Sequence, residues 1–388
     1  MSSVPRLFQP AKVGNLKLSN RVVLATLTRF RANSAHVPTD SMVEYCKQRA
    51  SYPGALLISE VTYIAPQASG MPNASGVWSE DEGAHCAQVT DAVHSVGSYI
   101  YMQLWALGRV ARPAALEQES PDYPYLSAFP IALSTIPNDV PRELTKDEIK
   151  QNVEWYGTAA RNAVLGANGY LIDQFLQDVS NTLTDEYGGS VENRTHFAPE
   201  VVDAVVAAVG PKRTAIRLSP FNGYQDMRMK NPVPHFTYVL EQFKQKHLDL
   251  AYIHTVTPNA RLSAMPEDKL VRRPGLHYKL WSSRTVITTG AYDRESALKV
   301  AEETDQFVGF GRPFLANPDL VYRLRENIPL NAPQEDTFYL PMNERGYTTR
   351  SQGSSSSRSY RRAGFERGGC QSIINYQLSG ARHSVHVG

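Results

Sequence analysis

The stretch "RNAVLGANGYLIDQFLQ", residues 161–177, decides how the rest of this chain is read. It opens as the end of an alanine-rich helix and closes as a loop carrying Asn168, Gly169 and Tyr170. Upstream, "TKDEIKQNVEWYGTAARNAV" has helical periodicity, which predicts a helix ending near Val164. Elsewhere, β-rich apolar runs alternate with helical patterns: "VVLA" (22–25), "ALLISEVTYI" (55–64), "YIYMQLWAL" (99–107), "TAIRLSP" (214–220), "LAYIHTV" (250–256), "TVITTG" (285–290) and "QFVGFGR" (306–312). Near-continuous apolar strands separated by helices imply a parallel sheet covered on both faces. These seven runs fall one short of a (β/α)8 barrel. The fourth strand belongs between Val164 and Asn168, where no β-rich run stands.

A doubly wound sheet would need a G-x-G-x-x-G turn after its first strand, and none is present. Polar residues instead sit at the C-terminal ends of most strands: Thr28, Glu60, Gln103, Arg217, Gly290 and Arg312. That distribution fits a barrel whose chemistry is built at one rim. The expected fold is therefore α/β, a (β/α)8 TIM barrel over residues 1–346 with its fourth strand deleted. Residues 347–388 are Arg/Ser/Gly-rich and aperiodic, which predicts a disordered tail.

Hydrophobic content of 42% and charged content of 20% suit a soluble globular chain of 388 residues. The formal charge of +2 gives no reason to invoke nucleic acid or an acidic membrane surface. In the tail, six arginines stand against Glu366 alone, giving +5 and leaving −3 for the body. Cys46, Cys86 and Cys370 are widely spaced and make neither a disulfide framework nor a metal knot. No apolar leader opens the chain and no run approaches a membrane span, so a cytoplasmic location is expected. The histidines show no HxxxH or HExxH spacing, so no metal site is expected.

"TTGAY" (288–292) and "GFGRPF" (309–314) stand where barrels often hold a phosphate group. Gly290 and Gly311 would let backbone N–H groups approach, and Arg312 would add a charge-assisted fork. Tight strand-to-helix turns are the alternative use of the same glycines. Arg217 points into the rim or the interior, where a guanidinium needs an anion; a structural ion pair is the plainer explanation. Gln103 and Trp105 share a face, able to meet a heterocycle's amide edge and to wall a pocket, or simply to fill core. Tyr170 could donate a proton, although a lone tyrosine more often only packs.

Five stretches carry a resemblance: "TLTRFRA" (26–32), "QLWALGR" (103–109), the residues 166–197 beginning "GANGYLIDQFLQ", "RLSPF" (217–221) and "GFGRPFLANPDL" (309–320). Together they resemble the Old Yellow Enzyme family of FMN-dependent ene-reductases, fungal members above all, over residues 5–347. The resemblance implies FMN at the C-terminal rim, NADPH as electron donor, and a small enone or enal as substrate, in fungal secondary metabolism among other settings. By the same resemblance, Thr28 would hydrogen-bond the flavin, Gln103 would pair with its pyrimidine edge, and Arg217 would stabilise its reduced form. Gly290, Gly311 and Arg312 would cradle the phosphate, and Tyr170 would protonate the substrate's α-carbon. Trp105, Phe221 and Tyr339 would shape the substrate pocket.

Several positions depart from the family's pattern. Thr26 stands where Pro is usual, Val61 where Gly or Ala gives the flavin room, and Ala291 where Gly or Asn is usual. In the family a His and an Asn three residues apart donate to the substrate carbonyl. Here Asn168 is retained, Leu165 takes the His position, and about nine preceding residues are gone. An alternative follows: a catalytically impaired paralogue, or a chain mis-spliced at 164/165, that at most binds FMN.

Overall fold

Eight parallel strands close into a barrel in the computed structural model, which describes residues 4–160, 163–257, 280–281 and 283–349. They are β1 (Val22–Leu24), β2 (Leu56–Tyr63), β3 (Tyr99–Trp105), β4 (Ala163–Gly166), β5 (Ala215–Leu218), β6 (Tyr252–Val256), β7 (Val286–Thr289) and β8 (Phe307–Phe310). Val308 of β8 partners Val22 of β1, which closes the ring and removes the sheet edge.

The fourth strand, expected to be deleted, is present. Ala163–Gly166 pairs with β5 along its whole length, and with β3 at Gln103 and Leu104. The helix before it, Lys146–Ala159, stops short of the expected Val164. Local propensity favours continuing that alanine-rich helix, but hydrogen bonding to two neighbouring strands overrides it. β4 is nonetheless short, and Tyr99–Met102 of β3 have no β4 partner among the described residues.

Side chains alternate across the barrel wall. Val23, Ile58, Tyr101, Ala215, Tyr252, Ile287 and Phe307 fill the lower interior. Leu104, Val164, Ile216 and Leu218 face outward against the helical layer. Two of the covering helices, Glu80–Ser95 and Lys146–Ala159, begin in full capping boxes, Ser79 with Glu82 and Thr145 with Glu148. In β2 the pairing slips between Ile58 and Val61. This bulge lets Ile58, Val61 and Tyr63 all join interior clusters, which strict alternation would forbid.

The expected boundary after Gly346 falls too early. Tyr347 is fully buried and stacks on Tyr45, ring centroids 4.1 Å apart. Its hydroxyl donates to Glu60 Oε1 at 2.5 Å. Three buried arginines bind this last segment: Arg29 donates to the carbonyls of Phe338 and Gly346, Arg31 to Asn343, and Arg49 to Tyr347. From Arg350 onward, the expected tail and its Cys370 lie outside the described residues.

Candidate active site

At the upper end of the barrel, register aligns one row of inward side chains. Leu165 partners Arg217, and Arg217 partners His254. Trp105 follows the Leu104–Val164 pair and joins the same apolar cluster as Leu165, Val61 and Tyr63. Trp105 stacks on Tyr63 at 5.0 Å and meets the Tyr170 ring edge-on at 4.7 Å.

Arg217 faces inward and is 8% exposed, yet its Nε has no hydrogen-bond partner among the described residues. Burial lowers its pKa to about 10, and nearby Tyr170 and Tyr252 only partly offset this. Beside it, burial and the Arg217 charge push the His254 imidazole well below its usual pKa, so the ring is neutral. His254 Nε2 contacts Thr289 Oγ1. Gln103 Oε1 and Thr26 Oγ1 are likewise buried without partners among the described residues. A guanidinium Nε, an amide oxygen and a hydroxyl left unsatisfied are uncommon in a finished interior. They fit a planar, hydrogen-bonding group that carries negative charge.

Thr28 lies in the loop after β1, which Arg29 N–H fixes by donating to Glu60 Oε2 at 2.7 Å. Val61 partners Gln103 and is 3% exposed, so its isopropyl group narrows the space above that amide. Gly290 and Ala291 follow β7, while Gly311 and Arg312 follow β8. A Cβ on Gly290 would come within 2.8 Å of the Thr257 carbonyl oxygen, so that turn has room only for glycine. Ala291 holds a left-handed φ of 57°, rare for a residue with a Cβ.

The loop bearing Asn168 and Tyr170 is held from several sides. Asn168, at φ 61°, donates its backbone N–H to Ser219 Oγ at 2.6 Å. Its side-chain Oδ1 accepts from Asn222 Nδ2 at 3.1 Å, an arrangement that commits the acceptor end of the amide and spares the Nδ2 donor. Burial and the neighbouring Tyr224 raise the Tyr170 pKa, so the phenol keeps its proton at neutral pH. Tyr339 is 63% exposed and packs near Phe30. Phe221 makes no ring contact with this aromatic group among the described residues.

Sequence reasoning brought Gln103, Trp105, Arg217, Leu165, Asn168 and Tyr170 to one end of one barrel, where the structure also has them. It passed over His254, Asp173 and Ser219. Asp173 carried a signal: "LIDQFLQD" places acidic and amide residues inside an otherwise apolar turn.

The chain belongs to the NADH:flavin oxidoreductase / NADH oxidase family, which it matches over residues 6–331. It is 44% identical over 357 residues to the chanoclavine-I aldehyde reductase fgaOx3 of Penicillium roqueforti, covering 88% of this chain and 95% of that one. It is 42% identical to the NADP-dependent oxidoreductase lnbE of Aspergillus flavus, covering 88% and 95%. The crystal structure of Old Yellow Enzyme from a Pichia species superposes with a TM-score of 0.81 at 32% identity, covering 90% of this chain and 94% of that one. The protein is an FMN-dependent oxidoreductase of Old Yellow Enzyme type, with NAD(P)H as electron donor.

Proposed function

We propose that this enzyme reduces the activated C=C bond of an α,β-unsaturated carbonyl compound, with NADPH as the donor. One observation carries the reading: Arg217, buried with its Nε unpaired among the described residues, shares a row with the Trp105–Tyr170 pair. Gln103, Thr26, Thr28 and Arg217 would hold the flavin ring, with Val61 against it. Gly290, Ala291, Gly311 and Arg312 would hold its phosphate. Bound FMN supplies a two-electron relay from NADPH to an acceptor.

The chain's own residues supply the rest. Asn168 Nδ2 donates to the substrate carbonyl oxygen and so withdraws electrons from the alkene. The Tyr170 phenol, protonated at neutral pH, delivers its proton to the α-carbon as the β-carbon takes the hydride. Trp105, Tyr339 and Phe221 bound the space in which the substrate lies. The aldehyde reductase relative favours an enal, as part of secondary metabolism.

A second reading, FMN binding with impaired turnover, is favoured by Leu165, which is buried and apolar in the row where a second donor would stand. One experiment separates the two. Purified protein should be yellow, and NADPH-reduced protein should be reoxidised without air by 2-cyclohexen-1-one. A yellow protein that stays reduced supports the second reading, and a colourless one defeats both.

A further inference from the structure

Beneath the Asn168–Tyr170 loop lies a buried carboxylate that none of the proposed chemistry uses. Asp173 is 0% exposed and accepts three hydrogen bonds. Gly169 N–H donates to Oδ2 at 2.9 Å, Ser219 Oγ to the same oxygen at 3.3 Å, and Gln177 Nε2 to Oδ1 at 2.8 Å. Ser219 Oγ in turn accepts the Asn168 N–H, so one carboxylate fixes two consecutive loop amides, one directly and one through a hydroxyl.

Of these donors, the Gly169 N–H and Gln177 Nε2 cannot reverse. Gln177 Oε1 accepts from the backbone N–H groups of Arg228 and Met229, which pins its Nε2 toward Asp173. Gln174 Nε2 holds Gly169 from its other side by donating to the carbonyl at 2.8 Å. A protonated carboxyl would turn one of its acceptor positions into a donor among donors.

We propose that Asp173, as a carboxylate, is the positioning residue for the Asn168–Tyr170 loop, and that protonating it releases the loop and weakens capture of the carbonyl substrate. The proposal deepens the reading of the site given above and rests on it for the substrate step alone. Burial raises the Asp173 pKa to about 6, the three hydrogen bonds and Arg109 acting in the opposite direction. The charged group that faces it is Arg109, from the segment after β3, which itself faces Tyr125 and Asp226; Tyr170 lies on the loop it holds. Burial raises both phenols, which stay neutral between pH 5 and 8. Arg109 keeps its charge, and Asp226 is engaged by Ser134 through its N–H and Oγ.

Two measurements on the full-length holoprotein test this. The first is hydrogen–deuterium exchange of residues 167–170, corrected for intrinsic pH dependence, at pH 7.5 and pH 5. Wild type should lose protection there at the lower pH, and Asp173→Asn should lack it at both. Equal protection of wild type at both pH values overturns the proposal, whether or not the variant folds. The second is titration of flavin absorbance with 2-cyclohexen-1-one. Affinity should fall about ten-fold from pH 7.5 to 5 in wild type, the scale of one lost charge-assisted hydrogen bond. In flavin-retaining Asp173→Asn it should be weak and flat; a pH dependence matching wild type overturns the proposal. If the enone binds at no pH, the functional reading fails, and the exchange experiment still decides the role of Asp173.

Discussion

Leu165 and Arg217 are register partners on neighbouring barrel strands, an apolar side chain set directly beside a buried cation. The leucine therefore lines the site and not the outer wall. Leu165→His should raise kcat for enone reduction by about 10²–10³, the usual worth of one oxyanion donor. Burial and the nearby guanidinium would keep the introduced imidazole neutral, as they keep His254. Steady-state kinetics with 2-cyclohexen-1-one checks this, and an unchanged kcat would refute the role given to the position.

Arg217 carries an uncompensated charge in the absence of an anion, so its removal should have opposite effects on the two forms of the protein. Arg217→Leu should lower the flavin-to-protein ratio after purification. The flavin-free variant should unfold at a higher temperature than flavin-free wild type, because a buried unpaired cation has been replaced by an apolar group. Full flavin retention would contradict the assignment.

Tyr170→Phe keeps the ring against Trp105 and removes only the hydroxyl proposed as the proton donor. Product formation should fall by about 10²–10⁴, with flavin content preserved and KM little changed. Retained kcat would place the proton source elsewhere.

Part of this was legible in the sequence. The helix at Lys146–Ala159 shows in the helical period of "TKDEIKQNVEWYGTAARNAV", a signal carried by the segment itself. Arg217 and Gln103 point inward because strand alternation says so. The strand at Ala163–Gly166 was missed because its cause is not local: it is extended by bonding to Ala215–Leu218, some fifty residues on. The β2 bulge and the Asp173–Ser219 contact have the same character, since no period in the chain predicts which distant donor a buried carboxylate will meet. Tyr347 was set in the tail because the composition changes beside it, although its ring is packed against Tyr45.

Asp173 also makes stability depend on pH in a defined direction. Its folded pKa, about 6, is raised above the ordinary 3.8. Global unfolding solvates the carboxyl and drops its pKa, so between these values the contribution to stability falls as pH rises. Loop release is the opposite case, since it removes the three hydrogen bonds that lower the pKa while the carboxyl stays buried. Asp173→Asn removes that dependence. The melting temperature of wild type relative to the variant should therefore drop from pH 4 to pH 7; a constant difference would refute the shift.

Tyr347→Phe leaves the Glu60 carboxyl buried with one donor fewer. The expected loss is about 1–3 kcal/mol, read as a lower urea midpoint at unchanged slope. A chain ending at Thr349 should match the full chain in midpoint, whereas one ending at Asn343 should not.

The arginine ties to the last segment also set an order on synthesis. Arg29 leaves the ribosome near the start of translation, yet its acceptor on Gly346 lies 317 residues further along the chain. The loop bearing Thr26 and Thr28 adjoins that arginine. A nascent polypeptide must carry this guanidinium without its carbonyl partner until almost the whole body has been made. A translation product that stops before residue 346 lacks this anchor, however many barrel strands it contains.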